Sequence, residues 1–438
     1  MFKTLKKAWQ IEDIRKRLLY TLLMVIVIRL GSQIPVPGTD ASVIKNYFDN
    51  LSGDAFNIFN SFTGKSMESF SILALSITPY ITASIIMELL TIAIPKLEEL
   101  NREGNEGRKK IAKYTRYATV VLAMIEAIAM SIGFGGQGLF KTNNWFYIVT
   151  CVITLTAGSA FLMWVGERIN ENGIGNGISI VLLVNILSGI PEELGVLWTT
   201  FTANRQIATA TVIVIVITAA ILLVVAFVVW LYGGSRKIPV QYAGKIQGRR
   251  TFGTQNSSIP LKVLTASVIP VIFASSIMSL PAMISQFAGT IDYTTFWGKV
   301  IMFLSSSYWF NPSIPWYYSL GCLLYLVLIF VFAYFYTSIT FNPTEVAENL
   351  KRSGGFIPGI RPGRPTSDYL NNVLNVIVFI GAAGLSIVAL IPIIVGGLSS
   401  TGRISFLGTS LIIIVGVILE TLQQIEGRMV SREYDSIF

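Results

Sequence analysis

Catalysis on a polypeptide needs groups that trade protons, electrons or metal ions, and this 438-residue chain is short of them: it has no histidine and two cysteines. Without imidazole there is no Ser-His-Asp triad, no Cys-His pair and no ordinary zinc site. Cys151 and Cys322 each sit inside a long apolar run, where a thiol behaves as a small apolar side chain. Gly64-Lys65-Ser66 resembles the end of a P-loop, but Phe59 stands where the first glycine belongs. Three acids fall within apolar stretches: Glu88, Glu126 and Glu420. Ion-coupled transporters gather ionisable groups near the midplane of the membrane. Only Glu126 comes near that depth, without an evident partner, so a polar contact between helices is the favoured reading of it. No catalytic residue, metal or cofactor is expected.

The elements that must position these residues are apolar. Hydrophobic residues make up 53% of the chain and charged residues 13%, against about 25% charged in soluble domains. Ten stretches are read as spans: about Leu18–Ile34, Phe70–Ile94, Tyr117–Phe134, Trp145–Val165, Ile178–Ile190, Ala208–Leu231, Val263–Phe287, Trp316–Ile339, Leu370–Val395 and Ser405–Leu422. In hydrocarbon the backbone must satisfy itself, and the alternating pattern of a barrel is absent, so these should be helices. The fifth is short, but omitting it would invert every later loop. Placing the N-terminus in the cytoplasm puts 26 of the 33 Lys and Arg residues on that side, which is the positive-inside pattern. The C-terminus is then cytoplasmic too, and the net charge of +9 needs no nucleic acid to explain it. The basic segment Met1–Arg17 precedes an apolar run without an A-x-A site, which favours a retained first helix over a cleaved signal.

The expected architecture is an all-α polytopic membrane protein with no appended soluble module. Its outer loop Pro35–Ser69 contains a semi-apolar stretch, Ala55–Ser69, in which Phe56, Phe59 and Phe62 are spaced for one face of a short helix. That stretch is too short to span, so it lies on the surface or is re-entrant. The cytoplasmic loops 232–262 and 340–369 are basic, and at about thirty residues are long enough to suggest a function. Ser76–Met87 aligns with Ser267–Met278 at seven of twelve positions, including Pro79/Pro270, Ile81/Ile272, Ala83/Ala274 and Ser84/Ser275. Gly177/Gly408, Ser179/Ser410 and Val184/Val415 agree more weakly. The two aligned spans run in opposite directions, which predicts inverted halves, residues 1–200 and 201–438, of five spans each. A proline at the same place in both is read as interrupting the helix, and such paired spans point to a transport pathway.

Several segments resemble the SecY protein-translocase channel family: Ile77–Ile86, Gly104–Tyr117, Gly173–Ser179, Ile269–Ser276, Phe341-Asn342-Pro343 and Gly359–Gly363. The resemblance is collinear over nearly the whole chain. It implies the central pore of the Sec channel, passing unfolded preproteins with signal sequences across a bacterial inner membrane and releasing hydrophobic segments sideways into lipid. It also implies a constricting ring of Ile77, Ile81, Ile178, Leu182, Ile272 and Ile413, where Leu182 departs from the usual isoleucine. Ile412, about 100° further around the helix, is expected off that ring. A re-entrant plug helix at about 55–69, with Ala55, Phe56, Phe59, Phe62 and Gly64, would close the outer side. A lateral gate would involve Pro79, Ser84, Pro270, Ser275 and Ser276. Arg249, Arg250 and Arg361 would dock the SecA motor or the ribosome, and SecE and SecG would be partner subunits. The alternative from the residues alone is a secondary solute transporter.

Overall fold

The computed structural model describes residues 2–40, 42–43, 63–135, 138–140, 145–202, 207–242, 246–247, 250–251, 256–287, 295–310, 314–398 and 406–435. The chain runs α1 (Phe2–Gln10), α2 (Glu12–Gly31), α3 (Thr78–Ala93), α4 (Pro95–Arg102), α5 (Asn105–Gly135), α6 (Trp145–Asn172), α7 (Gly177–Thr202) and α8 (Ile207–Gly233). Next come strands β1 (Ser235–Tyr242), β2 (Ile246–Gln247), β3 (Arg250–Thr251) and β4 (Asn256–Lys262). Helices α9 (Ile269–Phe287), α10 (Phe296–Leu304), α11 (Leu320–Thr340) and α12 (Pro343–Arg352) follow, then β5 (Gly355–Phe356), α13 (Arg364–Leu398) and α14 (Phe406–Asp435). Six helical segments among the described residues are long and apolar enough to cross a membrane: Asn105–Gly135, Trp145–Asn172, Val214–Gly233, Trp316–Arg352, Arg364–Ile391 and Ser410–Met429. Gly177–Pro191 and Ile269–Pro281 are shorter, and α3 turns through 104° into α4 at Pro95.

Contacts divide the chain into two compact units, one of Met1–Ile215, Ser276–Gly321 and Pro392–Phe438, the other of Val216–Ser275 and Cys322–Ile391. This partition is different from the sequence division at residue 200. In the first unit α5 packs on α6, and Arg116 Nε donates to Glu167 Oε1 at 2.6 Å. Small side chains, Ala123, Ala127 and Cys151, bring these helices close in a core that also holds Met67, Phe70, Ala74 and Leu75. Close packing of small residues is how apolar helices associate where lipid removes the hydrophobic incentive.

The hydropathy of Phe70–Ile94 predicts helix from residue 70. Residues 70–77 are instead a run of turns, and helix begins only at Thr78. Irregular backbone is tolerated at membrane depth only where protein or a cavity surrounds it. Here Ser71, Leu73, Ala74, Leu75, Ser76 and Ile77 are all buried. The backbone groups find partners: Val36 N–H donates to Phe70 O at 3.0 Å and Ile72 N–H to Ile34 O at 2.9 Å.

In the second unit the basic loops hold an antiparallel sheet ordered β4-β1-β5, which the all-α expectation did not include. Strand β1 pairs with β4 from Ser235↔Lys262 to Gln241↔Asn256, and with β5 at Gln241↔Phe356 and Tyr242↔Gly355. Ile238 and Val240 alternate inward, as a half-buried strand requires, and join Leu261, Leu350, Ile357, Leu370, Val373 and Ile377 in one core.

Candidate functional site

The sequence repeat is also a repeat of backbone geometry. Ser76 and Ser267, aligned in the repeat, adopt left-handed φ values of 53° and 54°. That conformation costs a residue with a Cβ about 1–2 kcal/mol. The Ser76 N–H donates to Leu73 O at 2.8 Å, and the Ser267 N–H to Leu264 O at 3.2 Å. One residue on, Ile77 O accepts from Tyr80 and Ile81, and Val268 O accepts from Val271 and Ile272. Pro79 and Pro270 are the second residues of α3 and α9. They start helices and do not interrupt them, because a proline in the first turn forfeits an N–H that has no helical partner anyway.

The six ring candidates lie next to these features or on α7 and α14. Ile77, Leu182, Ile272 and Ile413 are buried, and Ile81 and Ile178 are half-buried. Within the first unit Ile77 and Ile178 are brought together at Gly166 of α6: a methyl group there would lie 3.7 Å from both Ile77 Cδ1 and the Ile178 nitrogen. Ile81 and Leu182 each follow by about one helical turn. Ile413 sits on α14, and Ile272 belongs to the second unit, in the first turn of α9. Ile412, expected off the ring, is as buried as Ile413. The gate candidates Pro79 and Pro270 are buried, while Ser84, Ser275 and Ser276 are half-buried.

Glycines in α6 and α7 set how closely this wall is built. A side chain on Gly158 would run into the Ile72 carbonyl, and one on Gly177 into the Gly166 carbonyl. The Gly173–Ser179 motif is tied down from three helices. Thr21 Oγ1 accepts from Ile174 N–H at 3.1 Å, Gln424 Oε1 from Gly175 N–H at 2.9 Å, and Asn170 Oδ1 from Gly177 N–H at 2.7 Å. Asn176 caps α7 by accepting from Ile178 N–H at 3.1 Å, satisfying one of the orphan donors of a helix start.

Of the plug candidates, Ala55, Phe56, Phe59 and Phe62 lie outside the described residues, and Gly64 lies within them. Its φ is +62°, and a methyl group on it would stand 2.8 Å from Asn185 Cα. The Gly64 carbonyl accepts from Ser188 Oγ at 3.3 Å and Arg29 Nη1 at 3.5 Å. Asn185 Nδ2 in turn donates to Ser76 Oγ at 3.0 Å. Gly64→Ala should therefore unseat this segment, since both φ and space oppose a side chain. A cysteine placed at the buried Ser66, in a chain lacking Cys151 and Cys322, should gain maleimide reactivity when Gly64→Ala is added. Unchanged labelling would show that the seat does not depend on this contact.

Of the docking candidates, Arg249 lies outside the described residues, and Arg250 opens β3, which pairs with β2 as Gln247↔Arg250. Arg361 is exposed on a fixed turn. Ile357 anchors that turn in the sheet's core, and Ile360 N–H donates back to Ile357 O at 3.0 Å. Thr366 Oγ1 donates to Arg361 O at 2.9 Å, and Gly359 and Gly363 supply φ values of +83° and +107°. The neighbouring Phe341-Asn342-Pro343 motif starts α12: Asn342 Oδ1 accepts from Thr344 and Glu345 N–H, and Pro343 fills the first helical position. Exposed Arg236, Lys237 and Lys262 make the same sheet basic.

Comparison with known proteins places this geometry. The SecY family model matches residues 71–422. The protein translocase subunit SecY of Halalkalibacterium halodurans is 40% identical over 440 residues, which cover 99% of each chain. That of Pseudomonas aeruginosa is 40% identical over 429 residues, covering 98% of this chain and 93% of its own. Among solved structures, a protein-conducting channel aligns with a TM-score of 0.67 at 19% identity, covering 95% of this chain and 93% of the other. Sec61 from a canine ribosome–channel complex aligns at 0.63 and 18% identity, covering 95% and 93%.

Proposed function

The chain belongs to the SecY family, and from that premise we propose that it is the pore-forming subunit of a protein-conducting channel. The observation that carries this reading is its similarity, over nearly its full length, to curated protein translocase subunits. In this reading the channel lies in a bacterial inner membrane with both termini in the cytoplasm, as the distribution of Lys and Arg suggests. Residues 1–200 and 201–438 act as inverted halves. SecE and SecG are the partner subunits, and SecA or the ribosome docks at Arg249, Arg250 and Arg361.

The chemistry suits the task. A ring of Ile77, Ile81, Ile178, Leu182, Ile272 and Ile413 presents no hydrogen-bonding group, so a narrow collar of them dewets and stops ions. A passing chain meets only methyl groups and is held by nothing. The Ala55–Ser69 plug blocks the outer side at rest. Sideways release at the gate, carried by Pro79, Ser84, Pro270, Ser275 and Ser276, is a partition step. Each central Leu or Ile contributes about −0.3 to −0.6 kcal/mol towards lipid and each charge about +2.5 to +3.5. One or two charges therefore hold back a borderline segment. No covalent bond is made or broken, so the activity is not enzymatic.

The test is reconstitution. Proteoliposomes holding this chain and its partner subunits should import a preprotein when given SecA and ATP, and should show no solute-dependent flux without them. Solute uptake by the chain alone, with no preprotein import, would replace this reading with a secondary transporter.

A further inference from the structure

We propose that Asn185 and Tyr232 are positioning residues of the gate, each holding by its side chain the left-handed serine that aims one gate helix. The inference rests on the channel reading above and names residues that reading leaves without a role.

Five residues other than glycine have positive φ among those described: Lys65, Phe70, Ser76, Ser267 and Phe310. Ser76 and Ser267 occupy the same place in the repeat, two residues before α3 and α9 begin. A rotation at either φ redirects the helix that follows. Glycine would take this conformation without strain, so serine there stores strain and supplies a hydroxyl that can be held. Both hydroxyls are held. Asn185 Nδ2 donates to Ser76 Oγ at 3.0 Å, with both residues buried, and the Tyr232 and Ser267 hydroxyls are 3.1 Å apart.

The two holding residues come from different places in the repeat. The alignment that pairs Gly177 with Gly408 and Val184 with Val415 pairs Asn185 with Gly416, which has no side chain to offer. Tyr232, at the end of α8, takes its place in the second unit. The same contact, made by unrelated residues at equivalent backbone positions, marks a requirement of the position and not a relic of duplication. Asn185 has a further reach: its Cα backs Gly64 of the plug segment, and it follows ring candidate Leu182 by three residues. Displacing the plug segment therefore disturbs the residue that holds Ser76. Each serine is then a sprung element with two settings, held and released.

The experiment uses the reconstituted channel with its partner subunits, reading idle ion conductance and import of a preprotein with a weakened signal sequence. Tyr232→Phe removes one oxygen, and Asn185→Ala removes the other holding group. Each should raise idle conductance about three- to tenfold, the range expected for losing one hydrogen bond, and should improve import of the weakened preprotein. Ser267→Ala added to Tyr232→Phe, and Ser76→Ala added to Asn185→Ala, should each add less than the serine change does alone, because the two members of each pair share a contact. If Asn185→Ala fails to reach the membrane, the Tyr232–Ser267 cycle decides. Wild-type conductance and import in Tyr232→Phe, or full additivity with Ser267→Ala, would overturn the proposal. A control separates it from the gate reading itself: in an otherwise unaltered channel, a short tether between cysteines at Ser84 and Ser275 should stop import and a long one should not. Normal import with the short tether sinks the gate; blocked import with silent variants sinks only the holding residues.

Discussion

Ile413→Asn is expected to raise idle ion conductance of the reconstituted channel about tenfold or more and to let poorly hydrophobic signal sequences open it. Ile413 is 1% exposed on α14. An amide there brings two donors and an acceptor into an apolar wall. Left without partners, such a group costs about 1–3 kcal/mol, and water entering the constriction removes that cost. The open, wetted state gains by the same amount, and each 1.4 kcal/mol is a factor of ten in an equilibrium. Two controls bracket the result. Ile412→Asn, at an equally buried position, should lower the amount of folded protein in the membrane, because it loads packing between helices and not the pore. Ile418, 37% exposed on the same helix, should accept asparagine without added leak. Single-channel recording checks all three. Unchanged leak at Ile413, or equal leak at Ile412, would remove Ile413 from the ring.

Arg361→Glu should cut SecA-driven import by about a hundredfold or more while membrane level and folding stay near normal. The guanidinium is planar, always charged and able to grip a carboxylate or phosphate with two bonds. Its turn is fixed by the buried Ile357, by Thr366 on its own carbonyl, and by left-handed Gly359 and Gly363. The side chain itself is exposed and holds no part of the core. Arginine anchors at the centre of an interface commonly cost 2–4 kcal/mol when lost, and reversal adds repulsion. Arg361→Lys, which keeps the charge and loses the fork, should fall between the two. Import and motor affinity both at the unaltered level in Arg361→Glu would take this residue out of the docking surface.

Much of the fold was legible because lipid leaves few choices: long apolar stretches must be helices. Buried chain that is apolar without being helical carries no such signal. Residues 70–77 carry the same Ile, Leu and Ala that a span would, so hydropathy could not separate turns packed in protein from helix. Pro79 and Pro270 stand out in the sequence, but a proline that breaks a helix and one that opens it look alike there, and both of these open helices. The left-handed serines were invisible, since serine at φ near +54° leaves no signature that glycine would have left. In β1, Ile238 and Val240 do alternate with polar neighbours, but Pro239 between them obscures the strand. Proline is admitted there because β5 pairs only with Gln241 and Tyr242 and so does not reach residue 239, where β1 has β4 on one side alone. The repeat itself is readable, and the structure adds a backbone counterpart to it: the same turn and the same first helical bonds, with a left-handed serine that is buried at 76 and half-buried at 267.

The glycine contacts of α6 have a mechanical consequence. Between most helices a layer of side chains absorbs a displacement of an ångström by changing rotamers. At Gly158 and Gly177 that layer is missing, and main chain bears directly on the carbonyls of Ile72 and Gly166. Tilt imposed on α6 by a thicker or thinner bilayer is passed undamped to the segment that carries Ile77 and to the start of α7. With Ile77 in the proposed ring, lipids of different chain length should change the channel's resting leak.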